Sequence, residues 1–120
     1  MVNSMQGFLL YTSLQTLTTQ RISNMKNKTY KFYADSGHGW LAVKTAELYD
    51  LDIYNDITLY SYVKGQTTYL EEDYDMYLFS KAYEAKYGKK PDYAYNNVGD
   101  VSPIRSYQRF PSQVRNYKGM

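Results

Sequence analysis

The chain has no cysteine, so disulfides, thiolate zinc sites and cysteine nucleophiles are excluded. It has one histidine, His38. Without a second imidazole there is no HxH pair and no HExxH helix, the spacings by which histidine metal sites announce themselves. The glycines fall into no GxGxxG, GxxxxGK or GxSxG pattern, which leaves no dinucleotide fingerprint, phosphate-cradling loop or nucleophile elbow. Acidic residues do not recur as DxDxD, and EEDYD at 71–75 does not match a calcium loop. The one strongly apolar N-terminal run, GFLLY from Gly7, is far too short to span a bilayer and lacks a basic leading segment. These absences give the expectation of a soluble intracellular protein with no membrane partner, no cofactor and no metal.

What the chain has in surplus is tyrosine: 16 against 4 phenylalanines in 120 residues. Tyrosine buries a ring but keeps a hydroxyl that seeks water or a partner, so the surplus points to a half-buried sheet face or a recognition surface. The net charge of +2 hides a polarised chain. From Phe32 to Ser80 nine carboxylates stand against Lys44 and Lys64, a balance of −7; from Lys81 to the end eight cations outweigh three carboxylates by +5. An acidic middle does not suit a sheet that tracks a phosphate backbone, whereas the basic end suits nucleic acid or an acidic patch on a partner.

Length and patterning predict one α+β domain, a small antiparallel sheet containing a central hairpin with one main helix packed on it. TYKFYA (29–34) alternates as a half-buried strand, DSGHG makes a turn, WLAV resumes as a strand, and TAELYDL reads as a two-turn helix that Thr45 can cap. ITLYSYV (57–63) and TTYLEE, joined by KGQ, form a hairpin over 57–72, with Ile57, Leu59 and Val63 on one face and Tyr60 and Tyr62 on the other. Met76, Phe79, Tyr83 and Tyr87 then recur at helical spacing over 73–87, with carboxylates at the start, lysines toward the end, Asp73 as N-cap, and Gly88 and Pro91 as stop. Residues 25–90 form the core on this reading. Residues 91–120 form a basic, tyrosine-containing tail packed on it, in which DYAY and PIRSYQRF can add an edge strand. Residues 1–24 are either an arm or an upstream extension of a domain starting near Met25.

Three groups of residues could carry function. The first is His38, flanked by Gly37 and Gly39 and two residues before Trp40. A metal-assisted hydrolase would need it to meet Asp35 or the 71–75 carboxylates, while the plainer reading is a turn whose ring bonds to backbone or packs on Trp40, itself a core residue. The second is a tyrosine and carboxylate surface of Tyr60, Tyr62, Tyr69, Glu71, Glu72 and Asp75, suited to a protein partner; its plainer reading is helix capping and solubility. The third is the basic tail, where Tyr107 and Phe110 interleave with Arg105, Arg109 and Arg115 and could stack on single-stranded RNA or DNA. Interspersed Arg and Tyr equally describe a peptide wrapping its own domain.

HGWLAV at 38–43, YSYVKG at 60–65 and YLEEDYDMYLF at 69–79 resemble a family of small, largely uncharacterised bacteriophage and mobile-element proteins, over residues 28 to about 88. The chain departs from that pattern at Asp52, where a glycine is expected, and at Tyr74, where a cysteine often stands. The resemblance implies a phage setting and brings no established catalytic activity. The resulting expectation is a non-enzymatic protein in the host cytoplasm that binds and inhibits a host protein or ribonucleoprotein, such as a nucleic-acid-guided defence nuclease, in the manner of an anti-CRISPR. The hydrolase using His38 and the nucleic-acid-binding tail are its alternatives.

Overall fold

The computed structural model describes residues 28–111. The segment 1–24, the boundary at Met25 and Arg115 lie outside the described residues. Strand β1 (Thr29–Ala34) buries Tyr30 and Phe32 and exposes Thr29 and Lys31, as its alternation requires. It pairs antiparallel with β2 (Gly39–Lys44), setting Phe32 opposite Leu41 and Tyr33 opposite Trp40. After helix α1 (Thr45–Asp50) and a single 3-10 turn (Tyr54–Asp56), β3 (Tyr62–Lys64) and β4 (Thr67–Glu71) make the hairpin. Helix α2 (Asp75–Tyr87) follows, then β5 (Asp92–Asn97), a second 3-10 turn (Pro103–Ser106) and β6 (Gln108–Arg109). The six strands lie in the order β5-β1-β2-β4-β3-β6, and all neighbours are antiparallel except β1 and β5. The α+β class with a central hairpin is therefore observed, and DYAY supplies a parallel edge strand.

The hairpin is shorter than its alternation suggests. Residues 57–61 leave the ladder because Asp75 competes for their polar groups: its Oδ2 accepts from Thr58 N at 3.0 Å, Thr58 Oγ1 at 2.7 Å and Ser61 Oγ at 2.6 Å. Ile57 stays buried, but Leu59, expected on the aliphatic face, is 40% exposed. The helix begins at Asp75 rather than Asp73, since Glu71 folds back to accept from Asp73 N (2.8 Å) and Tyr74 N (2.9 Å). In α1 the backbone of Lys44 donates to Glu47 (2.8 Å), while Thr45 shares a hydrogen bond with Thr68 (2.7 Å) instead of capping. Gly88 closes α2 at φ +83, a conformation that favours glycine.

The sheet has two faces with separate cores. On one, α2 lays Phe79 and Tyr83 over Tyr30, Leu41 and Leu70, and Tyr30 meets Phe79 edge-on at 5.3 Å. The buried Tyr30 hydroxyl donates to Glu47 (2.6 Å), which also takes Lys28 (3.0 Å). Burial first, then this carboxylate, pushes the phenol well above its ordinary range. On the other face Trp40, Tyr62 and Ile104 are buried with Tyr33, Tyr69 and Tyr107 around them. Trp40 is thus a core residue, but it faces away from the helix because it alternates with Leu41 along β2. Gly39 belongs to the same strand and not to the turn: a Cβ there would stand 2.1 Å from the Phe32 ring, which packs over it. No helix of the described residues is long and apolar enough to cross a membrane.

Candidate functional site

The face that α2 leaves uncovered gathers rings and cations that sequence places far apart. Tyr33 of β1, Tyr69 of β4 and Tyr107, just before β6, are half-buried and form a continuous row, with centroids 6.2 Å apart between Tyr33 and Tyr69 and 5.3 Å between Tyr69 and Tyr107. Tyr62 pairs directly with Tyr69 across the hairpin. Lys31 and Lys44 alternate with buried residues along β1 and β2, and Lys64 stands two residues from Tyr62 along β3, so all three stand on this same face and are exposed. Lys64 lies 4.7 Å from the centre of the Tyr107 ring. None of these three lysines has a carboxylate partner among the described residues. A shallow groove of about 390 Å³ runs between Lys31, Lys44, Tyr33 and Tyr69.

At the end of this face a second cleft, about 430 Å³, lies between the 38–40 segment, the Tyr60 loop and the start of α2. Its floor is aromatic and its cations lie over the rings: the Arg105 guanidinium is 5.3 Å from the centre of Trp40, and that of Arg109 is 4.8 Å from the centre of Tyr62. Arg105 also clamps Asp35 through Nε (2.6 Å) and Nη2 (2.9 Å), and Ser102 N adds a third bond (2.9 Å). Asp35 in turn accepts from Gly37 N (3.0 Å) and His38 N (2.9 Å), which closes the turn. Arg105 and these backbone donors hold its carboxyl well below the usual carboxylate range.

These placements correct the residue sets expected from sequence. Asp75 is fully buried, so it is no part of a contact surface; Thr58 and Ser61 hold it in the interior. Tyr62, 8% exposed, lies beneath Arg109 instead of standing on an open ladder. Glu71 spends its carboxylate on the start of α2, which leaves Tyr60 (69% exposed) and Glu72 as the exposed members of the tyrosine and carboxylate set, with Tyr69 half-buried. In the basic set Phe110 is buried (1% exposed) in the helix-side core and cannot stack on a base. Arg105, Tyr107 and Arg109 do share the face not covered by α2. His38 is exposed, with its ring tilted 6.1 Å from Trp40. Glu71 and Asp73 share the cleft with it, but no group of three or more His, Asp or Glu side chains among the described residues could hold a metal ion.

Lys31, Tyr33, Lys44 and Lys64 had no place in either set. The signal that could have found them is the strand period itself: once Tyr30, Phe32 and Val43 are assigned inward, Lys31, Tyr33 and Lys44 must point the other way. Comparison with family models, curated proteins and solved structures returns no match.

Proposed function

We propose that this chain is a non-catalytic binding module that takes single-stranded RNA or DNA on the sheet face opposite α2. The observation that carries the reading is the contiguous row Tyr33, Tyr69 and Tyr107 bordered by three lysines that have no ion pair among the described residues. Rings half-exposed on a sheet offer stacking surfaces to unpaired bases, and cations around them meet the phosphates. Four of the nine carboxylates of the acidic middle are buried, already bonded or carried on α1. Asp75 is buried, Asp35 is clamped by Arg105, Glu47 is held by Tyr30 and Lys28, and Asp50 lies on α1, whose Leu48 packs into the helix-side core.

Fluorescence anisotropy with labelled single strands of about 12 nucleotides tests the reading. Single strands should bind more tightly than the matching duplex. Replacing Lys31, Lys44 and Lys64 together with glutamine should flatten the dependence of log K on log salt by about 2. Absence of single-strand binding at low salt would refute the proposal.

A host protein is the second reading, and it rests on a different observation: Tyr60 and Tyr74 are 69% and 55% exposed beside the exposed Glu72 and Asp73. Rings with carboxylates around them suit a basic protein surface. On that reading Glu72→Lys abolishes capture of the partner and leaves oligonucleotide binding intact.

A further inference from the structure

The cleft at the end of the sheet differs from the tyrosine row in carrying both signs of charge in fixed places. On one side are two guanidiniums that lie over rings, Arg105 over Trp40 and Arg109 over Tyr62. Stacking occupies the flat of a guanidinium and leaves its edge donors available. Arg105 gives Nε and Nη2 to Asp35, whereas Arg109 gives only Nη1, to the Leu59 carbonyl at 2.9 Å, and has no carboxylate partner among the described residues. Nε and Nη2 of Arg109 therefore remain for an anion.

The start of α2 supplies the opposite sign. Glu71 already accepts from the N–H groups of Asp73 and Tyr74 and offers an incoming anion no bare helix end. Asp73 is exposed, and its carboxylate has no hydrogen-bond or ion-pair partner among the described residues. A ligand matching this cleft carries negative charge at one end, a flat aromatic body for Tyr60 and Tyr74, and paired N–H donors at the other end for a carboxylate. Among nucleobases, guanine presents two adjacent donors, the ring N–H and the exocyclic amine, whereas adenine and cytosine present only an amine beside an acceptor nitrogen.

We propose that this cleft binds one guanine nucleotide, the phosphate on Arg109 and the base edge on Asp73, as the phosphorylated terminal residue of a strand lying along the tyrosine row. The inference rests on the single-strand reading above for the strand, and on the cleft alone for the nucleotide.

Calorimetric titration of the full chain with 5′-GMP, AMP and UMP tests it, alongside anisotropy with 5′-phosphorylated and unphosphorylated oligonucleotides that begin with guanosine. GMP should bind saturably and about tenfold more tightly than AMP, the discrimination expected of one bidentate contact. Asp73→Asn should erase that difference, and Arg109→Gln should weaken GMP about tenfold, both with unchanged circular dichroism. The phosphorylated strand should outbind both its unphosphorylated twin and free GMP; equal affinity of GMP and the phosphorylated strand would mean that the cleft serves free nucleotides and would overturn the terminal assignment. Equal binding of all three nucleotides, or none, overturns the cleft proposal. If oligonucleotides still bind in a lysine-dependent way in that case, the sheet-face reading survives; if they do not, both fall.

Discussion

The two faces of the sheet are built from alternate residues of the same strands, yet they do opposite work. Toward α2 the strands present Tyr30, Phe32, Leu41, Val43 and Leu70, all at most 6% exposed, and a 13-residue helix covers them. Away from α2 they present Tyr33, Tyr69 and three lysines, and the cover is a short segment around Ile104 and Tyr107. Both faces use tyrosine, but for different parts of the side chain. Tyr30 loses its hydroxyl to a buried carboxylate, while Tyr33 and Tyr69 stay half-exposed. Composition counts these residues alike; only the period-2 geometry of a strand separates a stabilising ring from a presenting one.

The comparison breaks most visibly at Phe79. Phe79→Ala empties a fully buried site on the helix side and should cost about 3–5 kcal/mol in chemical unfolding. Tyr69→Ala on the other face should cost about 1–2 kcal/mol by its partial burial and weaken a single strand about tenfold. If Tyr69→Ala destabilised as much as Phe79→Ala and left oligonucleotide binding unchanged, the two faces would be a single core and the distinction would be lost.

Asp75 comes next. Asp75→Ala strands the Thr58 N–H and two hydroxyls in the interior, and should cost about 2–3 kcal/mol. Ser61→Ala should cost less but in the same sense, since Ser61 both donates to Asp75 and accepts from Glu71 N at 2.9 Å. A neutral Asp75→Ala would mean that the Ile57–Ser61 loop is not held by this carboxylate.

Asp35 sharpens the comparison through pH. Its folded-state carboxyl is held below the ordinary 3.8 by Arg105 and backbone donors. The stability it contributes is therefore complete above the unfolded value and declines as pH falls below about 4. Urea midpoints of wild type and Asp35→Asn should differ by a constant amount near neutrality and converge in acid. A gap that stays constant down to pH 2 would mean that the ionised carboxylate is not what ties the 35–38 turn to the Ser102–Arg105 segment.

The helix, its Gly88 terminus and the shared face of Tyr30 and Phe32 were legible because long-range packing and local period agree there. The hairpin was legible as a hairpin but not in its length, because the alternation of 57–63 says nothing of a carboxylate 14 residues from Ser61 that captures its hydroxyl. The acidic surface was misread for the same reason. EEDYD looks uniformly solvated in one dimension, yet Glu71 is turned onto backbone and Asp75 into the core. The meeting of Tyr33, Tyr69 and Tyr107 depends on strand order, with β1 and β6 separated by three intervening strands. No local pattern encodes that adjacency.

His38 gives the smallest expected effect and separates residue type from residue position. Its backbone N–H, not its imidazole, makes the bond to Asp35 that closes the turn. The ring is exposed and lies 6.1 Å from that of Trp40, tilted at 56°. His38→Ala keeps the N–H and the turn, so stability should move by no more than about 0.5 kcal/mol, and single-strand affinity by no more than a few fold. The neighbouring Gly39→Ala changes a residue with far less chemistry of its own, but it drives a methyl into the Phe32 ring and should cost about 1–3 kcal/mol. Chemical unfolding of the two variants side by side tests whether the 38–40 segment is built by backbone and packing. A His38→Ala loss as large as that of Gly39→Ala would instead assign the imidazole a structural bond that the turn geometry does not contain.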